Sequence, residues 1–382
     1  MASTSSDPHP HTKSGQPIWL RAEDKPFEAR AALTPTTAKQ LLDQGWDVTV
    51  ERDPQRIFED KEYEDVGCTI VPHSSWTTAP HSVPILGLKE LPVTTDPLPH
   101  THVQFAHCYK QQAGWRDVLA RFRAGGGTLL DLEFLQDERG RRVAAFGYHA
   151  GFAGAAVGCL ALFSQVVQND RLGSLKPYPN EQELIDEART KIAEVKKSLG
   201  RGVRALVIGA LGRCGGGAVS FLRSAGLEDG DILKWDMAET AKGGPFSEIL
   251  QVDIFVNCIY LSSKIPHFVT QETIRQAGET RNLSVIVDVS ADTTNPNNPI
   301  PVYDISTTFD KPTVDVASSA GPVLTCCSID HLPTLLPREA SEAFSKDLMP
   351  SLLQLPNRHT ARVWTDAEKL FRQKLAEAEA AA

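Results

Sequence analysis

Short apolar runs, each broken by glycine or a polar cluster, recur along the chain at the spacing of one strand and one helix. The pattern is plainest in the carboxyl-terminal half. Residues 205–208 (ALVI) are the β-branched run of a parallel strand buried on both faces. After them AVSFLRSAG shows a helical period that closes on Gly226. The unit then repeats: DILKWD to Asp236, VDIFVNCIY over 252–260, the helical stretch TQETIRQAGE, and SVIVDVSAD over 284–292. This alternation predicts a doubly wound parallel sheet.

A second α/β unit precedes residue 145. PIWLRAE (17–23) is a strand, TPTTAKQLLDQG (34–45) a capped helix, and WDVTVE (46–51) the next strand. PILGL (84–88) and HVQFAH (102–107) are buried strands with polar ends. QQAGWRDVLARFRAGG is a helix and TLLDLEFL a further strand. The uncharged stretch 143–167 is expected as a helix buried between two domains, a membrane span being the alternative. HLPTLLPREASEAFSKDLMPSLLQL (331–355) is helical and would close the chain back onto its first domain. The expected architecture is α/β, two Rossmann-like domains with parallel-rich twisted sheets.

Glycines supply the first chemistry. Gly209, Gly212 and Gly215 stand in a G-x-x-G-x-x-G spacing between the first strand of the second sheet and the helix after it. Backbone N–H groups and a positive helix end there suit a pyrophosphate. Asp236 follows Gly215 by 236 − 215 = 21 residues, near the roughly 20 expected of a ribose-binding acid. A carboxylate there accepts ribose hydroxyls and repels a 2′-phosphate, which selects NAD over NADP. Alone, Asp236 would merely end a strand. Tyr260, Ser290, Ala291 and Asp292 follow strand ends and overhang the same site. Cys214 follows the first strand of this sheet and Cys258 ends its neighbour, so the two can form a disulfide that obstructs NAD; two small side chains filling space is the alternative.

Length and composition narrow the class. The 382 residues suffice for two cored domains: 1–17 as a disordered tail, 18–145 plus about 335–382 as the substrate domain, and 146–334 as the NAD domain. Hydrophobic content of 41% and charged content of 23% are those of soluble globular chains. A net charge of −9 without a basic stripe speaks against nucleic acid. Seven cysteines without a C-x-x-C pair read as reduced intracellular thiols and not as a metal clasp. The polar first residues lack the apolar core of a signal peptide, and EAEAAA is no peroxisomal tripeptide, so the expected location is the cytosol.

In the first domain the polar residues at strand ends carry the candidate acid–base chemistry. Lys89 and Glu90 follow ILGL, and His107 follows VQFA. A lysine in a desolvated cleft has its pKa drawn toward roughly 7–8, and histidine titrates near neutrality without help. From spacing alone, a surface lysine and a satisfied strand-end histidine are the slightly favoured reading. Arg30, Arg141 and Arg142 offer guanidinium forks for an acidic, multi-carboxylate substrate. Glu90, Asp131 and Glu133 could tune the pair electrostatically, although a solvated strand end is the favoured reading of Asp131.

Long segments complete the picture: RAEDKPFEARAALTPTTAKQL, ILGLKELP, QFAHCYKQQAGW, GRRVAAFGYHAGFAGAA, GALGRCGGGA, LKWDMAET, GGPFSEI, NCIYLS, VDVSADTTNPNNPIP and SIDHLPTLLPREAS. Together, from about residue 18 to 365, they resemble the fungal NAD-dependent, L-lysine-forming saccharopine dehydrogenases, with alanine dehydrogenase and transhydrogenase as broader relatives. The resemblance implies an active site in the interdomain cleft and a reversible reaction of saccharopine, NAD and water to lysine, 2-oxoglutarate and NADH. It implies the last step of lysine biosynthesis by the α-aminoadipate pathway, in a monomer with no partner besides its small-molecule substrates. Lys89 and His107 match the family's acid–base pair. Arg30, Lys89, Gln112, Arg142, Phe146, Ser290, Ala291 and Asp292 match substrate positions. Arg141, Gly212, Arg213, Asp236, Thr240, Tyr260, Val289, Ile329, Asp330, His331 and Leu332 match NAD contacts. An alanine-dehydrogenase-like enzyme or a non-catalytic NAD sensor is the alternative.

Overall fold

The computed structural model describes residues 15–380 apart from 262, 292, 294 and 295. Residues up to Ala144 and from Ser341 onward make one unit, and Ala145–Ala340 the other.

The first unit begins with β1 (Gln16–Leu20), α1 (Pro35–Asp43), β2 (Trp46–Glu51), α2 (Asp60–Val66) and β3 (Thr69–Val71). β4 (Ile85–Leu86), β5 (Thr101–Gln104), α3 (Trp115–Gly125) and β6 (Thr128–Asp131) follow. Gln16 and Pro17 are therefore strand, not tail; residues 1–14 lie outside the described residues. All pairings are parallel, in the order β3-β2-β1-β4-β5-β6. The order in which the chain adds strands reverses between β1 and β4, so the ligand crevice is expected at their carboxyl ends. The sheet's local supports are plain in the residues. Thr34 caps α1 by accepting the Thr37 N–H at 3.3 Å, and Pro35 takes the first helical position, where its missing N–H is harmless.

The second unit carries α4 (Gly147–Val166), α5 (Glu181–Leu199), β7 (Ala205–Ile208), α6 (Arg213–Ser224), β8 (Ile232–Trp235) and α7 (Met237–Thr240). β9 (Ile254–Asn257), α8 (Gln271–Ala277), β10 (Val285–Asp288), β11 (Val314–Asp315) and β12 (Thr325–Cys327) complete it. The order is β11-β12-β10-β9-β7-β8, with only β11 antiparallel. Strand periodicity divides the core. Ala205, Val207, Ile254 and Val256 join the layer with α4, α5 and α6, while Leu206, Ile208 and Phe255 join the opposite layer with Trp235 and Phe246. Each fully buried Val, Leu, Ile or Phe among them contributes ~1.5–3 kcal/mol relative to exposure. α9 (Pro337–Leu352) and α10 (Arg362–Ala380) then return the chain to the first unit.

The apolar helix α4 is neither a membrane span nor in need of another domain for its burial. It packs on α5, α6, β9 and β10 of its own unit. Small residues make this close: a Cβ on Gly151 would lie 1.8 Å from the Cys214 carbonyl oxygen.

Candidate active site

In the first unit, the parallel sheet brings a row of polar residues to one edge. Lys89 and Glu90 follow β4, His107 follows β5, and Asp131 ends β6. Lys89 is only 7% exposed. His107 adopts φ +48°, a conformation costly for a residue with a side chain and concentrated at functional positions. Its Nδ1 lies 3.0 Å from Glu90 Oε2, and Glu90 Oε1 accepts Lys25 Nζ at 3.0 Å. Burial alone would raise Glu90, but the His107 hydrogen bond and the Lys25 charge overcome it and hold this carboxyl far below the usual range. A carboxylate can only accept, so Nδ1 carries the proton and Nε2 is the nitrogen left to exchange protons.

Glu28 is fully buried and grips Arg30 in a fork, Nε to Oε1 at 2.7 Å and Nη2 to Oε2 at 2.6 Å. Burial raises Glu28, yet Arg30 and then Lys89 bring it below its ordinary value. Lys89 therefore stands within electrostatic reach of Glu28. One edge of the Arg30 fork is committed inside the protein, which narrows how a substrate carboxylate can meet it. Arg142 lies 5.9 Å from the Phe105 ring, Gln112 accepts the Lys110 N–H, and Arg141 pairs with Asp137.

One expectation on a carboxylate is corrected. Asp131 is not solvated: it is 1% exposed, accepts the N–H groups of Ala106 and Glu133, and burial pushes it up to about 6. Glu133, expected to tune the Lys89–His107 pair, accepts Lys110 Nζ at 2.7 Å. Lys25 and Glu28 were not singled out from the sequence, although both lie in RAEDKPFEAR. Their roles come from a loop fold that no periodicity reports.

The second unit supplies the nucleotide cradle. Gly209 has φ +85°, and Gly212 precedes the first turn of α6, where exposed Arg213 adds its charge to the helix end. Asp236 Oδ2 accepts the Leu211 N–H at 3.1 Å and Oδ1 the Met237 N–H at 2.9 Å, fixing the carboxylate at the rim of the loop. Thr240 Oγ1 donates to the Asp236 carbonyl. Leu211 and Met237, missed from the sequence, are 87% and 82% exposed and flank Asp236. Exposed apolar side chains beside an acid suit a flat base joined to a ribose. The cradle therefore fits an adenine dinucleotide.

Asn257 and Asp288 end adjacent strands, and the strand-end rule could have found both. Asp288 accepts Tyr303 Oη at 2.6 Å, Ser290 Oγ at 2.7 Å and Asn257 Nδ2 at 3.0 Å. This network fixes Ser290 and Ala291, the latter at φ +46°. Asp292 lies outside the described residues. Val289 packs against Gly154, Tyr260 is 56% exposed, and Phe146 precedes α4. Of the run 329–332, Ile329 and Leu332 are core side chains, His331 stacks edge-on with Phe309, and Asp330 is exposed. Ile329 and Leu332 can reach a nucleotide only through their backbone. Cys214 and Cys258 are free thiols, and the hydrogen bond between them is the main cause that holds Cys258 well above its usual pKa.

Comparison with known proteins agrees with this geometry. Residues 19–153 match the alanine dehydrogenase/PNT N-terminal domain and residues 188–379 the C-terminal domain. A saccharopine dehydrogenase [NAD(+), L-lysine-forming] of Yarrowia lipolytica is 59% identical over 93% of this chain and 96% of its own. Its namesake in Candida albicans is 57% identical over 96% of this chain and 98% of its own. Among solved structures, an L-alanine dehydrogenase superposes with TM-score 0.65 at 16% identity, covering 93% of this chain and 94% of its own, a likeness of fold. The chain thus belongs to the NAD-dependent, L-lysine-forming saccharopine dehydrogenase family, built on the alanine dehydrogenase fold.

Proposed function

We propose that this protein catalyses the reversible oxidation of saccharopine by NAD, with water, to L-lysine and 2-oxoglutarate. The observation that carries the reading is the Glu90–His107 pair next to buried Lys89, in a chain that also holds a complete dinucleotide cradle. NAD supplies the hydride acceptor, held by the Gly209–Gly215 loop, Arg213 and Asp236. Lys89 takes the proton of the secondary amine, which frees the nitrogen lone pair to assist hydride loss from the glutamyl-side carbon. The substrate is left as a protonated imine. His107 Nε2 takes a proton from the water that attacks this carbon and returns one as the carbinolamine collapses to lysine and 2-oxoglutarate. Each such transfer is typically worth ~10²–10⁴-fold. Arg30, Gln112 and Arg142 hold substrate carboxylates, and Phe146, Ser290 and Ala291 are proposed as further substrate contacts.

The test is product identity. Lysine, 2-oxoglutarate and NADH with purified enzyme should give saccharopine by mass spectrometry, and pyruvate with ammonia should give no alanine. Alanine without saccharopine would overturn the assignment.

Cys214 and Cys258 are proposed as a redox pair: a two-electron oxidant such as hydrogen peroxide takes the two thiol hydrogens to water and joins the sulfurs, and the disulfide blocks NAD. Oxidised protein should show the Cys214–Cys258 cross-link by mass mapping, and saturating NADH should protect against it; both thiols recovered free would remove the pair from regulation.

A further inference from the structure

We propose that Arg21 and Glu23 are positioning residues for Lys89, a clamp that substitutes for a missing stretch of β-sheet. The proposal rests on the proton-transfer role given to Lys89 above. The β1–β4 ladder stops at the pair Leu20–Leu86, because β4 is only two residues long. Lys89 comes three residues later: on the β5 side the Gly87 N–H still donates to the Val103 carbonyl and the Leu88 carbonyl accepts the Phe105 N–H, but on the β1 side the ladder closes with the Arg21 N–H donating to the Leu86 carbonyl. Side chains take over the pairing there. Glu23 Oε1 accepts the Leu88 N–H at 2.6 Å, and Oε2 accepts the Lys89 N–H at 2.8 Å. From the other side Arg21 Nη2 donates to the Lys89 carbonyl oxygen. The peptide groups on both sides of Lys89 Cα are thus held by two charged side chains of one neighbouring segment.

The clamp is itself fixed. Arg21 Nη1 donates to the Ala22 carbonyl at 2.9 Å and lies 3.4 Å from Glu23 Oε2. The Glu23 N–H donates to Asp53 Oδ2 at 3.0 Å. Arg21 is 1% exposed and Glu23 5%. Burying this ion pair is costly, and Arg21 Nε has no hydrogen-bond partner at all. A pair selected for stability alone would not leave that donor orphaned. Room for the guanidinium comes from Gly87, where a Cβ would lie 2.3 Å from Arg21 Nε. What the arrangement achieves is a fixed Cα for Lys89, and catalytic groups need placement to within a fraction of an ångström.

Two variants attack the clamp from opposite sides. Glu23→Gln turns one of its two acceptors into a donor facing a backbone N–H, and Gly87→Ala drives a methyl into the Arg21 guanidinium while leaving every charge in place. Each should lower kcat by about 10- to 100-fold, the cost of a misplacement near 1 Å, with the NADH dissociation constant within twofold of wild type. The decisive readout is non-additivity. In a Lys89→Met background the same changes should cost less than threefold, because no lysine is left to place. Unchanged kcat in a folded variant, or an equal loss in both backgrounds, would overturn the clamp. If Glu23→Gln does not fold, Gly87→Ala and Arg21→Lys carry the same comparison. Full turnover in Lys89→Met alone would instead sink the role of Lys89 itself.

Discussion

Lys89→Met and His107→Gln are each expected to lower kcat by ~10²–10⁴-fold while NADH binds as in the wild type. The separation follows from the fold. Both residues stand on the sheet of the first unit, at the carboxyl ends of β4 and β5, whereas the glycine loop and Asp236 belong to the second. Methionine keeps most of the volume and apolar length of the buried lysine and removes only its exchangeable proton. Glutamine at 107 can still hydrogen bond to Glu90 but cannot carry a proton through the hydration and collapse of the imine. Steady-state kinetics with saccharopine and NAD, joined to fluorescence titration with NADH, separates the two properties. A variant with wild-type kcat would strike its residue from the mechanism. A variant that lost NADH affinity in step with kcat would point to a cofactor role instead.

The second large effect falls on the cradle. A Cβ at Gly215 would lie 2.1 Å from the Gly209 carbonyl oxygen and 2.6 Å from Ala210 Cα, both backbone atoms that cannot swing aside. Gly215→Ala must therefore push the start of α6 away from the loop, and with it the N–H groups that would face the pyrophosphate. NADH affinity should fall by ~100-fold or more, which is about 2.7 kcal/mol. Gly216→Ala is the control, because a Cβ there meets nothing within 4 Å. Titration of both variants should show affinity lost in the first and kept in the second. Equal, wild-type affinity in the two would mean that the loop does not hold the cofactor.

How far the sequence revealed this molecule depended on what each segment buries. β7, β9 and β10 are covered on both faces, so their sequences are unbroken apolar runs and their places were legible. β3 and β12 read TIV and TCC, too short and too polar to stand out, and only their parallel partners reveal them as strands. α4 was legible as a helix but not in its packing, since its stripe of small residues fits a neighbour in the same unit as well as one in another. The candidate site divides in the same manner. Lys89, His107 and Asp236 followed from their positions at strand ends. The Glu28–Arg30 fork and the Arg21–Glu23 clamp did not, because they are made by irregular chain beyond β1, where no period operates. Asp131 was misjudged for a related reason: the N–H groups of Ala106 and Glu133 close over it, and a strand end that looked solvated is interior.

The most direct test of the central claim is NADH oxidation by the purified protein with lysine and 2-oxoglutarate together, and then with each left out. Oxidation that requires both is the expected result, and it would join the proton-transfer residues of one unit to the cofactor loop of the other in a single reaction. NADH that binds tightly yet is never oxidised by the pair would contradict it and leave a cradle without this chemistry.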